Sequence, residues 1–252
     1  MCSRTALSLL RTSRLPIYNQ LVLEEALLRG TDRNWVLIND GAFAPAIVMG
    51  ISGKAEELIH IPRAQEARVQ VLKRFSGGGT VVVDKDTVLV TLIFQGAALP
   101  HVECYPQPIM RWTEQFYASV FLPHHPNFRL RENDYVLGEL KFGGNAQAIT
   151  GKRWLHHTSL LWDYDVQRMA LLQQPVRTPA YRQGRDHTSF VTRLSQHEPP
   201  VPNARTAFVE RVVAAVRQLP GFRVQEVGME EAAAVLAQRP LCGTRIVDLD
   251  GL

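Results

Sequence analysis

Three adjacent glycines mark the part of the sequence best suited to bind an anion. The stretch from Lys73 to Asp84 reads Lys-Arg-Phe-Ser-Gly-Gly-Gly-Thr-Val-Val-Val-Asp. Because they lack Cβ atoms, Gly77, Gly78 and Gly79 let successive backbone N–H groups turn towards one ligand and form an anion-binding concavity. Arg74 adds a planar cationic group. The pattern also fits a glycine turn between two strands, and its spacing is that of neither a dinucleotide fingerprint nor a P-loop.

A second glycine-containing segment carries a lysine that is well placed for chemistry. Residues 131–149 read Arg-Glu-Asn-Asp-Tyr-Val-Leu-Gly-Glu-Leu-Lys-Phe-Gly-Gly-Asn-Ala-Gln-Ala-Ile. The pattern predicts a β-hairpin with one strand at 135–137 and a return strand that contains Lys141. Lys141 leads into two glycines, which leave room for a ligand beside the backbone. The pair Asn133 and Asp134 fits either a magnesium ligand or a cap on the hairpin.

Two adjacent histidines, His156 and His157, lie in the next predicted strand. Neighbouring residues of a strand point to opposite faces of the sheet, so these two rings cannot easily share one metal ion. We therefore predict that one histidine faces a binding pocket and that the other is structural.

Together these segments resemble the catalytic domain of the lipoate–protein ligase A family, among the biotin/lipoate A/B protein ligases. The resemblance rests on Arg-x-Ser-Gly-Gly-Gly, Asn-Asp, Lys-x-x-Gly-x-Ala and His-His before a leucine-rich strand, and it extends from about Leu21 to Leu172. It implies that ATP activates lipoate or octanoate as an acyl-adenylate, and that the acyl group then passes to a lysine of a lipoyl-domain acceptor. The implied acceptors are the E2 subunits of 2-oxoacid dehydrogenases and the glycine cleavage H protein.

The resemblance also implies roles for individual residues. Lys141 is the implied catalytic residue, since its ammonium would bridge the lipoate carboxylate and the α-phosphate and later stabilise the acyl carbonyl. Magnesium is expected to accompany ATP, and we assign it no protein ligand. The implied residues for binding nucleotide and acyl group are Arg74, Ser76, Gly77, Gly78, Gly79, Thr80, Val81, Val82, Asp134 and Lys141.

Two departures from the family keep other activities open. Val83 stands where the family usually has histidine, and we expect no C-terminal accessory domain, so an accessory subunit is a possible partner. One alternative is an ATP-independent octanoyl- or lipoyltransferase on the same fold, which would use a cysteine nucleophile. No cysteine precedes Lys141 in the hairpin, and Cys242 is predicted to be a buried small apolar residue. The other alternative is a non-catalytic lipoate-binding subunit, although retention of Arg74 and Lys141 argues against it.

The composition of the chain limits the classes of partner and the cellular compartments that are expected. The net charge of the 252 residues is only +4, and the basic side chains are scattered, which argues against nucleic acid. The sequence contains no run of about 18 apolar residues, the length that a membrane-spanning helix needs. The 3 cysteines form no disulfide framework, which favours a reducing, cytoplasmic location. A mitochondrial location stays open because residues 1–14, a predicted short extension, are basic and lack acids.

The elements that must position these residues alternate between strands and helices. We predict an α+β fold over residues 15–252, with a mixed sheet flanked by helices, and the resemblance implies the fold that biotin and lipoate ligases share with class II aminoacyl-tRNA synthetases. Residues 175–202 are predicted to be a long surface connection that could act as a lid. The remaining patterns predict helices near 21–28, 109–120, 165–172, 208–219 and 230–238, and strands near 35–39, 46–49, 69–73, 87–94 and 222–227.

Overall fold

The computed structural model of the chain describes residues 4–174, 178–238 and 243–251. The described strands are β1 (Thr5–Ser13), β2 (Asn34–Asp40), β3 (Ala46–Met49), β4 (Gln70–Lys73), β5 (Val81–Val83), β6 (Thr87–Gln95), β7 (Phe128–Arg131), β8 (Asp134–Leu137), β9 (Leu140–Thr150), β10 (Arg153–Leu161), β11 (Phe222–Val227) and β12 (Arg245–Ile246). The described helices are α1 (Ile17–Gly30), α2 (Ala55–Leu58), α3 (Ile61–Glu66), α4 (Pro106–Phe121), α5 (Val166–Met169), α6 (His187–Phe190), α7 (Ala204–Arg217) and α8 (Met229–Gln238).

Eight strands form the large sheet, in the order β11-β1-β2-β6-β10-β9-β8-β7. Strand β1 runs parallel to both of its neighbours, and the other pairs are antiparallel. The predicted mixed α+β architecture is therefore confirmed. A second sheet of four strands, in the order β12-β4-β3-β5, was not foreseen as a separate layer.

The large sheet is covered on both faces because its central strands are apolar on both sides. In β2, Val36 and Ile38 belong to the core cluster that contains α4 and α7, whereas Trp35 and Leu37 belong to the cluster that contains α1 and α8. All nine residues of β10 are buried. Alternate side chains of one strand thus serve two separate cores, as the period of a strand requires.

The small sheet presents the glycine loop. Residues 74–80 connect β4 to β5, and both strands pair with β3. The loop begins where the backbone N–H of Arg74 donates to the carbonyl of Met49, 3.0 Å away. Its apolar flanks Val71 and Val82 pack in a cluster with Leu161, at the end of β10, so the loop is fixed against the large sheet.

The N-terminal segment differs from its prediction. Residues 1–14 were predicted to be an extension outside the fold, but residues 5–13 form β1, which lies inside the large sheet between β11 and β2. Leu7, Leu9 and Leu10 are buried. Arg11, one of the basic residues that suggested a presequence, lies within this strand, and its side chain pairs with Glu210.

The region after β10 is also more structured than its composition indicated. The helix predicted at 165–172 is only the four residues of α5, capped by the Asp165 side chain, which accepts from the N–H of Gln167. The described part of the 175–202 connection contains α6 and two 3₁₀ turns. Cys2 and Cys242 lie outside the described residues, as does Arg177. In the described part of the chain, every helix is too short or too polar to cross a bilayer.

Candidate active site

The glycine loop is braced from within by Arg74. The buried guanidinium donates from Nη2 to the carbonyls of Gly77 (2.9 Å) and Gly79 (2.8 Å), and from Nη1 to the carbonyl of Val48 (3.3 Å). Burial lowers the pKa of Arg74 to about 10, so the group stays charged at neutral pH. Arg74 was expected to bind phosphate directly. In this structure Arg74 braces the loop by donating to its carbonyls, and direct contact of the guanidinium with phosphate stays a prediction.

Gly78 is the residue at which only glycine fits the loop. Its φ is +110°, and an added Cβ would lie 2.6 Å from Arg74 Nη2 and 3.0 Å from the carbonyl oxygen of Asn145. From the other side, a Cβ on Gly50 would lie 2.2 Å from the carbonyl oxygen of Gly78. The loop is therefore held between strand β9 and the turn after β3. Gly78 and Gly79 themselves stay exposed.

The other predicted loop residues support this conformation. Ser76 is buried, and its carbonyl accepts from the N–H of Ile51, 3.0 Å away. Thr80 and Val81 are partly exposed at the start of β5. Val82 is buried in the core of the small sheet, as its predicted core role requires.

Lys141 lies beside this loop. Its ammonium is 2.7 Å from Asp134 Oδ1, and its side chain is 27% exposed. An added Cβ on Gly144 would be 3.4 Å from Lys141 Nζ, so the lysine side chain extends along β9 towards the residue that precedes Asn145. Asn145 in turn contacts Gly78. The structure thus brings together the two segments that the sequence separates by some 60 residues, namely the glycine loop and the lysine.

The Asp134 carboxylate is engaged by two neighbouring side chains. Oδ1 pairs with Lys141, and Oδ2 accepts from the hydroxyl of Tyr181 at 2.9 Å. Mg²⁺ needs oxygen ligands in octahedral geometry, commonly one or two carboxylates with waters and phosphates. Among the described residues no group of three or more His, Cys, Asp or Glu side chains could hold a metal ion. Both oxygens of Asp134 thus have a protein partner in this arrangement.

The two histidines face opposite sides of the sheet, as predicted. His157 Nδ1 is 2.8 Å from Glu24 Oε1, and Glu24 also accepts from Thr91. This polar cluster lies on the face of α1. On the other face His156 is fully buried, with Nε2 3.1 Å from the Tyr135 hydroxyl and Nδ1 3.1 Å from Gln147 Nε2. His156 is therefore a buried structural residue, and the pocket role of His157 stays a prediction.

The buried His156 gives a testable dependence of stability on pH. Burial lowers its pKa from 6.5 to about 3. Between these values the unfolded chain binds a proton that the folded chain does not, so stability is lost as the pH falls below 6.5. We expect this group to lower the free energy of unfolding by up to about 1.4 kcal/mol per pH unit in that window. Urea unfolding of wild type and His156→Gln at pH 7, 6 and 5 measures the difference, and equal slopes would contradict the assignment.

Residues 178–193, here called the covering segment, pack against the lysine. The N–H of Thr192 donates to the carbonyl of Lys141 at 2.8 Å, and Val191 forms a β-bridge with Lys141. The basic residues of the predicted lid are used internally: Arg182 donates to the carbonyl of Arg185, and Arg185 donates back to the carbonyl of Arg182. Side-chain bonds within the segment thus hold its shape, and the backbone of Val191 and Thr192 holds it against Lys141.

Several residues of the candidate site were not predicted from the sequence. Tyr181 carries no motif and lies in a stretch read as a connection. Gly50 and Asn145 matter only because they contact the loop across the fold. Glu24 had one available signal, since a carboxylate on the apolar face of a predicted helix needs a buried partner.

The chain belongs to the family described as lipoyl protein ligase A/B catalytic domain, whose profile matches residues 16–218. It is 25% identical to the inactive lipoate–protein ligase 2 of Plasmodium falciparum, over 84% of this chain and 69% of that protein. It is 28% identical to the probable lipoate-protein ligase A of Mycoplasma genitalium, over 79% of this chain and 59% of that protein. The chain thus spans well under the full length of both relatives.

Solved structures show the same fold at low sequence identity. The ligase in the structure of a bipartite Thermoplasma acidophilum lipoylation system, described with its E2 lipoyl domain, has a TM-score of 0.69 at 18% identity, over 94% of this chain and 91% of that chain. A lipoate-protein ligase A bound with ATP has a TM-score of 0.68 at 17% identity, over 93% of each chain. These likenesses confirm the predicted ligase fold.

Proposed function

We propose that the chain is a lipoate–protein ligase, which makes lipoyl- or octanoyl-AMP from ATP and transfers the acyl group to a lysine of a lipoyl-domain acceptor. The observation that carries this proposal is the position of the Lys141 ammonium beside Gly144, whose neighbour Asn145 contacts Gly78 of the loop. In the proposed complex, a cation and the exposed backbone of the glycine loop would then lie on the same ligand. Both are needed where negative charge develops on phosphate and carbonyl oxygens.

Each group has a distinct part in this reaction. The exposed face of Gly78 and Gly79 would hold the phosphate of the nucleotide, with the loop kept in shape by Arg74. Lys141 keeps two N–H donors beyond the one directed at Asp134, and these would stabilise first the carboxylate and then the carbonyl under attack. The leaving AMP makes acyl transfer to an amine favourable. Magnesium, brought with ATP, would neutralise phosphate charge.

The partners follow from the same proposal. Lipoate and ATP are the bound ligands of two structures that share this fold, and an E2 lipoyl domain accompanies a third. We therefore extend the proposal to lipoyl-domain acceptors, including E2 subunits and glycine cleavage H protein. An accessory subunit in the first half-reaction stays part of the proposal.

The transferase alternative requires a cysteine at the site. Among the described residues the free cysteine is Cys104, whose Sγ lies 3.6 Å from the carbonyl of Lys152. Lys141 is near the start of β9, whereas Lys152 follows the end of that strand. The extended strand separates the backbones of the two residues by more than about 30 Å. Cys104 is therefore not positioned to attack an acyl group that Lys141 holds.

Comparing the two half-reactions tests the proposal. We expect the purified chain to transfer lipoyl rapidly from synthetic lipoyl-AMP to an apo lipoyl domain, and to react slowly from lipoate plus ATP unless an accessory protein is added. Single-turnover quenches analysed by mass spectrometry give both rates. Equal rates without added protein would remove the accessory requirement.

A third sample separates the alternatives, with an octanoyl thioester as acyl donor and no ATP. Transfer of the acyl group from that donor thiol to a cysteine of the chain, detected as a hydroxylamine-labile adduct, would replace the ligase proposal by the transferase. Transfer in none of these assays, with lipoate bound, would leave the non-catalytic subunit.

A further inference from the structure

Asp134 is a nearly buried carboxylate whose two oxygens have different partners. The residue is 6% exposed, and one oxygen pairs with the Lys141 ammonium at 2.7 Å. The other accepts the hydroxyl proton of Tyr181 at 2.9 Å. Burying a carboxylate costs free energy unless each oxygen has a hydrogen-bond partner. The tyrosine hydroxyl supplies the partner for the oxygen that does not pair with the lysine.

Tyr181 is itself fixed in place by three contacts around a side chain that is 4% exposed. Its backbone N–H donates to Glu132 Oε1 at 3.2 Å. The guanidinium of Arg131 lies 4.7 Å from the ring centroid, and the ring of Phe190 lies 5.2 Å away. The hydroxyl therefore reaches Asp134 from a rigid position, although it belongs to a segment distant from the hairpin in sequence.

The occupancy of the second oxygen decides where the ammonium can point. A lysine ammonium is a point charge on a flexible stem with three donors, so its direction is set by its surroundings. If Asp134 lacked the tyrosine hydroxyl, its unsatisfied oxygen would attract a second N–H of Lys141. The ammonium would then turn into the carboxylate and away from a ligand at the glycine loop.

We propose that Tyr181 is a positioning residue for Lys141, acting through Asp134. It limits the carboxylate to one contact with the ammonium and leaves the other N–H groups of Lys141 for the acyl ligand. The use of those donors in acyl transfer rests on the proposed function. The position of the ammonium does not rest on it.

Tyr181→Phe tests this directly because it removes one hydroxyl and keeps the ring between Arg131 and Phe190. Tyr105→Phe is the matched control, since Tyr105 is 67% exposed and outside the site. We expect single-turnover transfer from lipoyl-AMP to fall about tenfold in Tyr181→Phe, as for loss of a hydrogen bond to a charged group, with the acceptor KM unchanged. The control should match wild type.

A second measurement needs no activity. Acetic anhydride labelling followed by mass spectrometry reports how freely Lys141 reacts, and we expect labelling at Lys141 to slow severalfold in Tyr181→Phe but not in Tyr105→Phe. In an Asp134→Asn background the tyrosine substitution should add no further loss of transfer, since Tyr181 acts through the carboxylate.

The outcomes separate the two proposals. Unchanged Lys141 labelling in folded Tyr181→Phe, or additive losses in the double variant, would overturn the positioning role. A wild-type chain that fails to transfer lipoyl, combined with slowed labelling in Tyr181→Phe, would overturn the proposed function and leave the positioning role standing.

Discussion

Lys141→Ala is expected to lower lipoyl transfer by about two to three decades, because it removes one positioned charge from a developing oxyanion. In the proposed complex the glycine loop binds the phosphate, so its N–H groups would not replace the lost ammonium at the acyl carbonyl. Transfer from synthetic lipoyl-AMP measures the effect without the adenylation step. Near-wild-type transfer by the folded variant would contradict the catalytic assignment.

Two further variants separate charge from geometry and from folding. Lys141→Arg should not restore activity, since a planar fork cannot take the place of a point ammonium beside Gly144. Lys141→Ala also leaves the Asp134 carboxylate with the Tyr181 hydroxyl alone. Lys141→Met combined with Asp134→Asn removes both charges and should recover stability without recovering transfer. Recovery of activity in that double variant would show that the ammonium is dispensable.

Gly78→Val is expected to damage nucleotide binding more than lipoate binding. Valine would have to adopt a φ of +110° with its Cβ 2.6 Å from Arg74 Nη2, so the brace and the loop cannot both keep their positions. We expect a loss of stability of about 2 to 4 kcal/mol from strain and overpacking. The displaced backbone donors should weaken binding of an ATP analogue by about tenfold or more.

Gly151→Val provides the matched control for this change. Gly151 also has positive φ, at +57°, but a Cβ there meets no atom within 4 Å, and it lies in the turn between β9 and β10. This control should lose some stability through strain and keep its affinity for nucleotide. Calorimetric titrations with ATP analogue and with lipoate compare the variants. Equal losses of both ligands in Gly78→Val would reduce the loop to a structural role.

Local patterns were sufficient to predict much of this fold. Strand β6 is a nearly continuous apolar run because both of its faces are buried, whereas the equally buried β10 carries five polar residues from Arg153 to Ser159 and is less evident from its sequence. Helix α1 ends at Gly30, the residue at which its apolar stripe stops. The two halves of the candidate site were predicted separately, one from the glycines after Arg74 and the other from the lysine that precedes two further glycines. The sequence did not indicate that these two segments lie together.

What the sequence could not predict depends on contacts between distant segments. The role of Arg74 is set by the loop carbonyls that surround it, and a guanidinium pattern alone does not distinguish a ligand contact from a brace. Tyr181 gains its importance from a hydrogen bond to Asp134, across 47 residues. The division into two sheets follows from β3 pairing with β4 and β5 rather than with its neighbour in sequence, β2.

Strand β1 has a consequence for how the chain is made. Its two parallel neighbours are β2, where Leu7 pairs with Asn34, and β11, where Leu7 pairs with Val224. During synthesis β2 emerges soon after β1, whereas β11 emerges only after all the other strands of the large sheet. Until then one edge of β1 stays open beside leucines that the finished fold buries, which is a surface prone to aggregation and suited to chaperone binding. The speed of translation between β2 and β11 would therefore affect the yield of folded protein.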